Sequence, residues 1–551
     1  MGCKGSKFAV EAKWSADEAD HDNTFHDNLL QEKTHLNFFE IYEIQSKLGK
    51  GSVSRVWKIK KNRDAIGGSS REEYVKWARK SRRRQASSGS TASGGVSLMR
   101  VATDRTLGDD SSQEEEAPGI FYAAKEMHPH LSEIEPLKKE IQLLKRLDHP
   151  HIIKCHEVFD QGEGKLMIVL ELCHGGDLAS RLPYSEQEAA NIMRQILKAV
   201  KHLHQHNIVH RDLKMENIMF SSKGDDAVVK LIDFGLSAKY IHDDHFKERV
   251  GTLYAMSPEA IEGSYSSKTD LWSAGVIAYM LLSGGVKPFG GLERFTAKEV
   301  VKFIFRCKYS FDGDHWSQVS DDAKDFIRSL LKADPNERLS AEDALKHPWL
   351  DRTHTYSSQK LDQRSIIRAK SSMIKYSKSD NDLFKLGMNA IAKKSTVHET
   401  GNLHEIFHMF DTGHDGFLTL EEFRRALAFL NVPDDELRVL FEGLDVNKNN
   451  VITFTEFLAA TLLSQGRIGE HRIAEAFDHL DTDDSGFITH NNLRRILGKR
   501  YDPAEVKRLI QMGDSDGDGR ISYKEFKAMF DGNNYGGGYD TLSQIDLIMV
   551  S

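Results

Sequence analysis

Between residues 41 and 350 the chain alternates strand-like with helical patterns of apolar positions, as expected of a mixed α and β domain. Residues 1–40 are polar and rich in His and Asp, a helix-tending extension. Residues 351–395 read as a basic, amphipathic linker, and from 396 to 530 a unit of 33 to 36 residues repeats four times. A fixed period of that length signals duplicated supersecondary units. A Gly-rich tail, 531–551, ends the chain. Inside the first domain, residues 61–119 break the pattern. Ser81-Arg82-Arg83-Arg84-Gln85-Ala86-Ser87-Ser88, then Gly94-Gly95 and Glu114-Glu115-Glu116, is low-complexity sequence that cannot bury a core. It predicts a disordered insertion between two strands.

Composition narrows the class. A chain of 551 residues has room for two to four domains, and a net charge of −8 argues against nucleic acid as the main partner. No apolar stretch approaches the roughly 18 residues of a membrane span. The N-terminus lacks a secretory apolar core, and Cys3, Cys155, Cys173 and Cys307 have neither metal nor disulfide-framework spacing. A reducing, cytosolic setting is the expectation. Met1-Gly2-Cys3-Lys4-Gly5-Ser6 fits N-myristoylation of Gly2, with Cys3 placed for a second acyl chain. One myristoyl chain binds bilayers only at about 10⁴ M⁻¹, so a palmitoyl group on Cys3 would make the anchor stable. The expected location is the cytoplasmic face of a membrane, the plasma membrane foremost, with a soluble cytosolic pool.

Phosphate chemistry begins at Leu48-Gly49-Lys50-Gly51-Ser52-Val53-Ser54-Arg55-Val56. Glycines let a hairpin fold tightly over a triphosphate and offer backbone N–H groups to its oxygens, although Ser54 stands where a third glycine is usual. Alone, a Gly pair marks a plain turn. Tyr122-Ala123-Ala124-Lys125 then places a lysine on an apolar strand, and Glu140 follows on a helix, a pair that can grip the α and β phosphates. His210-Arg211-Asp212-Leu213-Lys214-Met215-Glu216-Asn217 supplies Asp212 for the substrate hydroxyl proton, Lys214 for the transferring phosphoryl group and Asn217 for Mg²⁺; Asp233-Phe234-Gly235 supplies the second metal carboxylate.

Gly251-Thr252 and Ser257-Pro258-Glu259 close an activation segment, Asp270-Leu271-Trp272-Ser273-Ala274-Gly275 has the look of a central structural helix, and Arg338 is the expected partner of Glu259. In this order the motifs resemble the eukaryotic protein kinases over the whole domain. The resemblance implies an α+β bilobal protein-kinase fold using ATP and Mg²⁺. Leu48, Gly49, Lys50, Gly51, Ser52, Val56, Lys125, Glu171, Cys173 and Asp177 would form the nucleotide site, with Leu170 as gatekeeper beside the hinge Glu171-Leu172-Cys173. Lys214 matches the Ser/Thr kinases, and Glu216 and Asp177 match positions that in basophilic relatives receive an arginine three residues before the target, so protein substrates with Arg-x-x-Ser/Thr motifs are expected. Arg211 beside Asp212 normally demands an activation-segment phosphate. Glu248 already carries a charge four residues before Thr252, so control is expected elsewhere.

The repeats offer that control. An EF-hand loop needs oxygen ligands at positions 1, 3, 5, 7, 9 and 12, with a sharp turn at 6. The fourth loop meets every requirement through Asp514, Asp516, Asp518, Gly519, the Arg520 carbonyl, Ser522 and Glu525. The first has Asp411, Asp415, Gly416, Phe417 by carbonyl, Thr419 and Glu422, but Gly413 at position 3. The second has Asp445, Asn447, Asn449, Val451 by carbonyl, Thr453 and Glu456; Asn450 replaces the turn glycine, and Asn tolerates left-handed geometry. The third has Asp481, Asp483, Ser485, Gly486, Phe487 by carbonyl and Thr489, yet Asn492 at position 12 removes the bidentate carboxylate, so weak or absent calcium binding is expected. Aliphatic Leu418, Ile452, Ile488 and Ile521 at position 8 suit the short β-pairing that joins loops into two lobes.

In the linker, Lys360, Arg364, Arg368, Lys370, Lys375 and Lys378 interleave with Ile366, Ile367, Met373, Ile374, Leu383, Phe384, Met388 and Ile391, the composition of a basic amphipathic helix that an opened EF-hand lobe grasps. Kinase, basic junction and four EF-hands in this order resemble the calcium-dependent protein kinases over about residues 41–530. The resemblance implies an all-α calmodulin-like domain of two EF-hand pairs after the kinase. It also implies a junction helix that blocks the substrate site at rest until Ca²⁺ pulls it away. The departures are Ser54, the insertion, Met215 where proline is common, and Asn492. An alternative, a catalytically inactive scaffold that responds to calcium, is disfavoured by the presence of Lys125, Asp212, Asn217 and Asp233. Ser87 and Thr103, each three residues after an arginine, are candidate autophosphorylation sites.

Overall fold

Period-two apolar patterning gives a sheet with two packable faces, and five strands do this in the small lobe. β1 Tyr42–Lys50, β2 Ser54–Lys61, β3 Phe121–Met127, β4 Cys155–Asp160 and β5 Leu166–Leu170 lie antiparallel in the order β1-β2-β3-β5-β4. The computed structural model describes residues 38–50, 54–62, 121–127, 134–161, 165–224, 227–239, 251–291, 293–350, 363–428, 433–466, 468–483, 485–498 and 502–530. One sheet face, through Ala123, Ile168 and Leu170, joins the main core of the first domain. The other buries Tyr42, Ile59, Tyr122, Phe159 and Val169 with Phe38. Phe38 is fully buried against Tyr42 and Phe159, so residues 38–40 belong to this lobe and not to the extension. β2 likewise runs through Lys61, the first residue of the expected insertion, because that amine finds a buried carboxylate.

Helix α1, Ile134–Arg146, carries Glu140 inward beside β3. In the large lobe, α2 Glu186–Gln205 starts at a Ser185 capping box and buries a stripe of Ala, Ile, Met, Leu and Val. α3, Ser267–Leu282, is buried from Thr269 to Leu282, as suits a helix that is apolar nearly all round. Two short ladders frame the chemistry: β6 Ile208–Val209 pairs with β9 Ala238–Lys239, and β7 Ile218–Phe220 with β8 Val229–Leu231. The 210–217 loop thus hangs between β6 and β7, and Asp233 follows β8.

The linker forms two helices, α4 Gln363–Ser377 and α5 Asp382–Lys394. The break follows from Asn381, whose side chain accepts from Phe384 N at 2.9 Å and starts the second helix. Ala369, Met373, Leu383, Phe384, Met388 and Ile391 are buried in one core with Phe407, Phe457 and Phe477 of the repeats, while Arg364, Arg368, Lys375 and Lys378 stay exposed. Gly387 is required on α5, since a Cβ there would come within 2.9 Å of the Phe530 ring.

The repeats are four helix pairs: α6 Leu403–Phe410 with α7 Leu420–Leu427, α8 Asp434–Leu444 with α9 Phe454–Thr461, α10 Glu470–Leu480 with α11 His490–Leu497, and α12 Pro503–Gly513 with α13 Tyr523–Ala528. Two-residue strands tie them in twos, β10 Phe417–Leu418 to β11 Ile452–Thr453 and β12 Phe487–Ile488 to β13 Ile521–Ser522. The position-8 aliphatics meet as expected, Leu418 with Ile452 and Ile488 with Ile521.

This helical repeat domain packs on both lobes of the first domain. Lys394 of α5 reaches Glu157 of β4 at 2.8 Å. The Asp148 carboxylate accepts from Thr455 N at 2.8 Å and from its hydroxyl at 2.9 Å, at the start of α9. On α2, Lys201 donates to the Gly413 carbonyl at 2.6 Å and His202 Nδ1 to the Asp415 carbonyl at 2.9 Å. His151 donates through Nδ1 to the Val229 carbonyl, so its Nε2 accepts from His408 Nε2 at 2.8 Å. Burial drives His149, His151 and His408 well below the ordinary histidine range, so this seam is made of neutral rings.

Candidate active site and calcium loops

The strand register sets Lys125 of β3 between Val56 and Ile168. Its amine lies 2.8 Å from Glu140 Oε1 and 3.1 Å from Asp233 Oδ1. Burial works against the charged amine, but Glu140 and Asp233 outweigh it and raise Lys125 above its ordinary value. Burial also works against the charged Asp233, and Lys125 prevails, holding that carboxyl below its ordinary value. Asp233 sits at φ 62°, a left-handed conformation costly for a residue with a Cβ.

The 210–217 loop is fixed from below by Asp270 of α3, whose carboxylate accepts from His210 N at 2.9 Å, Arg211 N at 3.0 Å and His204 Nε2 at 2.9 Å. Full burial would raise the Asp270 pKa, and the hydrogen bond from His204 leads the effects that lower it. Arg211, at φ 67°, donates to the Leu236 carbonyl. Lys214 Nζ lies 2.7 Å from Asp212 Oδ2, and Asn217 Nδ2 donates to Asp212 Oδ2 at 3.1 Å and to the Asp212 carbonyl at 2.9 Å. With its amide nitrogen so engaged, Asn217 keeps its oxygen as the metal-facing atom. Asn217 and Asp233 are hard oxygen donors that fit Mg²⁺.

Of the expected nucleotide residues, Leu48 is half exposed and Val56 packs against the main core. Cys173 is buried, and burial pushes its thiol up. The Glu171 carboxylate turns to Lys230 at 3.1 Å. Asp177 Oδ1 accepts from Ser180 N at 2.8 Å, and Glu216 Oε2 accepts from the Tyr254 hydroxyl at 2.8 Å. The backbone of Gly49 and Lys50 ends β1. The Lys50 side chain, Gly51, Ser52, Gly2, Cys3, Ser87, Thr103, Glu248 and Lys360 lie outside the described residues. The pairing of Arg338 with Glu259 is present, at 2.7 and 3.1 Å.

Thr252, read from the sequence only as closing the activation segment, joins this group: its hydroxyl donates to Asp212 Oδ1 at 2.7 Å and accepts from Lys214 at 3.0 Å. The Gly251-Thr252 dipeptide after the activation segment was the available signal. Asp270 was visible only as part of a helix motif.

In the first calcium loop, Glu422 Oε1 accepts from Gly413 N at 2.6 Å and Oε2 from Thr419 N at 2.9 Å, while Asp411 accepts from Asp415 N and Gly416 N. Burial, then the neighbouring Asp415, pushes the Asp411 carboxyl up to about 7. Glu456 of the second loop, fully buried, is pushed up to about 8. Carboxylates crowded this closely need a cation, so the donor set fits Ca²⁺. Asn450 takes the left-handed turn at φ 64°, as Gly416, Gly486 and Gly519 do at 85°, 85° and 83°. In the fourth loop, ligand oxygens of Asp514, Asp516 and Glu525 all lie within 4.8 Å of one another. The Asp518 carboxylate meets Arg520 at 2.7 Å.

The third loop differs in kind. Asn492 Oδ1 accepts from Thr489, as a position-12 glutamate would, but its Nδ2 donates to Thr482 Oγ1 at 2.8 Å and Asp483 Oδ1 at 3.1 Å. An N–H therefore points where an oxygen should, and it occupies a ligand atom of Asp483. Ser485 Oγ donates to Asp481 at 3.1 Å.

A phosphotransfer cleft with four EF-hand loops on the same chain defines a calcium-regulated protein kinase. The protein kinase domain family matches residues 112–350, and the EF-hand domain pair family matches 402–462 and 470–530. β1 and β2 fall before the kinase match, which begins at residue 112, inside the expected insertion. The chain is 36% identical over 419 residues to calcium-dependent protein kinase 7 of Oryza sativa subsp. japonica, covering 74% of this chain and 75% of that protein. It is 37% identical over 418 residues to calcium-dependent protein kinase 5 of Plasmodium falciparum, covering 72% and 71%, and 35% identical over 408 residues to calcium-dependent protein kinase 8 of Arabidopsis thaliana, covering 72% and 75%. The chain belongs to the calcium-dependent protein kinase family. It is an ATP- and Mg²⁺-using serine/threonine kinase whose EF-hands bind Ca²⁺.

Proposed function

We propose that this kinase phosphorylates hydroxyls three residues after an arginine and is held inactive by its own junction until calcium binds. Glu216 supports the first part: its carboxylate is oriented by the Tyr254 hydroxyl at 2.8 Å, ready for a guanidinium. Asp212 takes the hydroxyl proton, Lys214 steadies the phosphoryl group in flight, and Lys125, held by Glu140, orients the α and β phosphates. Mg²⁺ at Asn217 and Asp233 would offset the phosphate charge.

The observation that carries the switch is the burial of the apolar faces of α4 and α5 in the EF-hand core. Calcium opens an EF-hand pair and exposes its apolar groove; without calcium the groove closes and α4 loses its seat. The exposed Arg364 and Arg368 of α4 then resemble the basic substrate motif and suit the same acidic groove at Glu216 and Asp177. Acylation of Gly2 and Cys3 would place this activity at the cytoplasmic face of a membrane.

The test is phosphorylation of an Arg-x-x-Ser peptide by full-length protein in EGTA and in micromolar calcium. Strong activation by calcium, lost when the peptide arginine becomes alanine, is expected. Equal activity in both conditions would refute the switch, and indifference to the arginine would refute the motif.

A further inference from the structure

Residues 62–120, far more than a short turn, connect β2 to β3. A long connection has a larger closure entropy than a tight turn and does little to keep the strand ends together. Lys61 is the last residue of β2, and Tyr122 is the second residue of β3, opposite Ile59.

Helix α10 of the third EF-hand joins these ends. Glu475 Oε1 accepts from Lys61 Nζ at 3.0 Å and from the Tyr122 hydroxyl at 3.1 Å. Arg472 Nη1 donates to the Tyr122 oxygen at 3.0 Å and to Glu475 Oε2 at 2.6 Å. The rest of the guanidinium is spent on Glu399, at 2.8 and 2.6 Å. Lys61, Tyr122, Arg472 and Glu475 are between 1% and 4% exposed. Burial would raise the Glu475 pKa, but Lys61 and then Arg472 outweigh it and hold the carboxyl at about 2. A buried, fully paired network of this kind is costly to break on one side, since the remaining charge is stranded.

Tyr122 and Ala124 face the outer core of the sheet, while Lys125, three residues from Tyr122, faces the cleft. We propose that Glu475 and Arg472 are positioning residues of the phosphotransfer reaction: they staple the end of β2 to the start of β3 and so keep Lys125 within reach of Glu140 and Asp233. The third EF-hand, whose loop carries an amide in place of a calcium carboxylate, thus has a role in the small lobe that does not depend on its own ion.

The experiment uses the full chain in saturating calcium. Glu475→Gln is expected to lower kcat/KM for ATP at least tenfold, through both kcat and KM, with the peptide KM unchanged. Amide hydrogen exchange should accelerate in 54–61 and 121–127 and stay unchanged in 403–461. Tyr122→Phe, which removes a single hydroxyl and keeps the ring packed, should move the same quantities in the same direction by two- to fivefold. It serves if Glu475→Gln does not fold. Lys61→Met should reproduce the loss and Lys61→Arg restore it. Wild-type kinetics for ATP in Glu475→Gln would overturn the proposal. So would a loss confined to the peptide KM or to calcium affinity with exchange of β2 and β3 unchanged.

Discussion

Thr252 and Asp212 share one hydrogen bond, 2.7 Å from hydroxyl to carboxylate, which ties the end of the activation segment to the carboxylate we propose as the base of the reaction. Lys214 bonds both partners. The segment and the catalytic loop therefore reach their working geometry together.

Thr252→Val should lower kcat. A hydrogen bond to a charged group is worth about 1.5–3 kcal/mol, so the loss should be roughly 10- to 100-fold, while Thr252→Ser keeps most of the activity. Steady-state kinetics with saturating ATP and peptide checks this.

Calcium stoichiometry should follow the position-12 residue. Equilibrium dialysis of the wild type should find three tightly held ions. Glu456→Gln should remove one, and Asn492→Glu should add a fourth by returning an oxygen where Nδ2 now donates to Asp483.

Calcium binding should release protons near neutral pH. Asp411 and Glu456, at about 7 and about 8, hold protons in the calcium-free protein, and ligation requires them ionised. Affinity should then rise as the pH climbs through 7 to 8 and weaken below. For the calcium-free fold the sign is reversed: both pKa values stand above their unfolded values of about 4, so stability is greatest in acid, falls as the pH rises past about 4, and has been lost once the pH passes the folded values. Calorimetry at pH 7 in buffers of different ionisation enthalpy reads the proton count. Binding heats independent of buffer would refute it.

Glu216→Ala should erase the preference for arginine. Loss of one charged contact, about 1.5–3 kcal/mol, predicts a roughly 10- to 100-fold fall in kcat/KM for an Arg-x-x-Ser peptide. The rate for the alanine-substituted peptide should not change.

Local rules made much of this molecule legible. The kinase motifs carry their spacing in the chain, the turn at Asn450 follows from residue chemistry within its loop, and the pairing of Leu418 with Ile452 follows from the same position 8 in two successive loops. Features that depend on remote partners were not legible. Lys61 looked like the start of a low-complexity run because its partner Glu475 is 414 residues away. Phe38 looked like part of a polar tail, because Phe159, which with Tyr42 forms its pocket, lies far along the chain. The linker reads as one basic amphipathic stretch, and only the Asn381 side chain reveals the break.

The carboxylate of Asp148 has a practical corollary. It belongs to the kinase, yet it holds the second N–H of α9, one residue before the calcium ligand Glu456. Excising the calmodulin-like domain exposes that N–H to water and removes a negative charge from the helix start. A calcium constant measured on the fragment therefore describes a different binding site, and the threshold at which the enzyme fires has to be read from the intact chain.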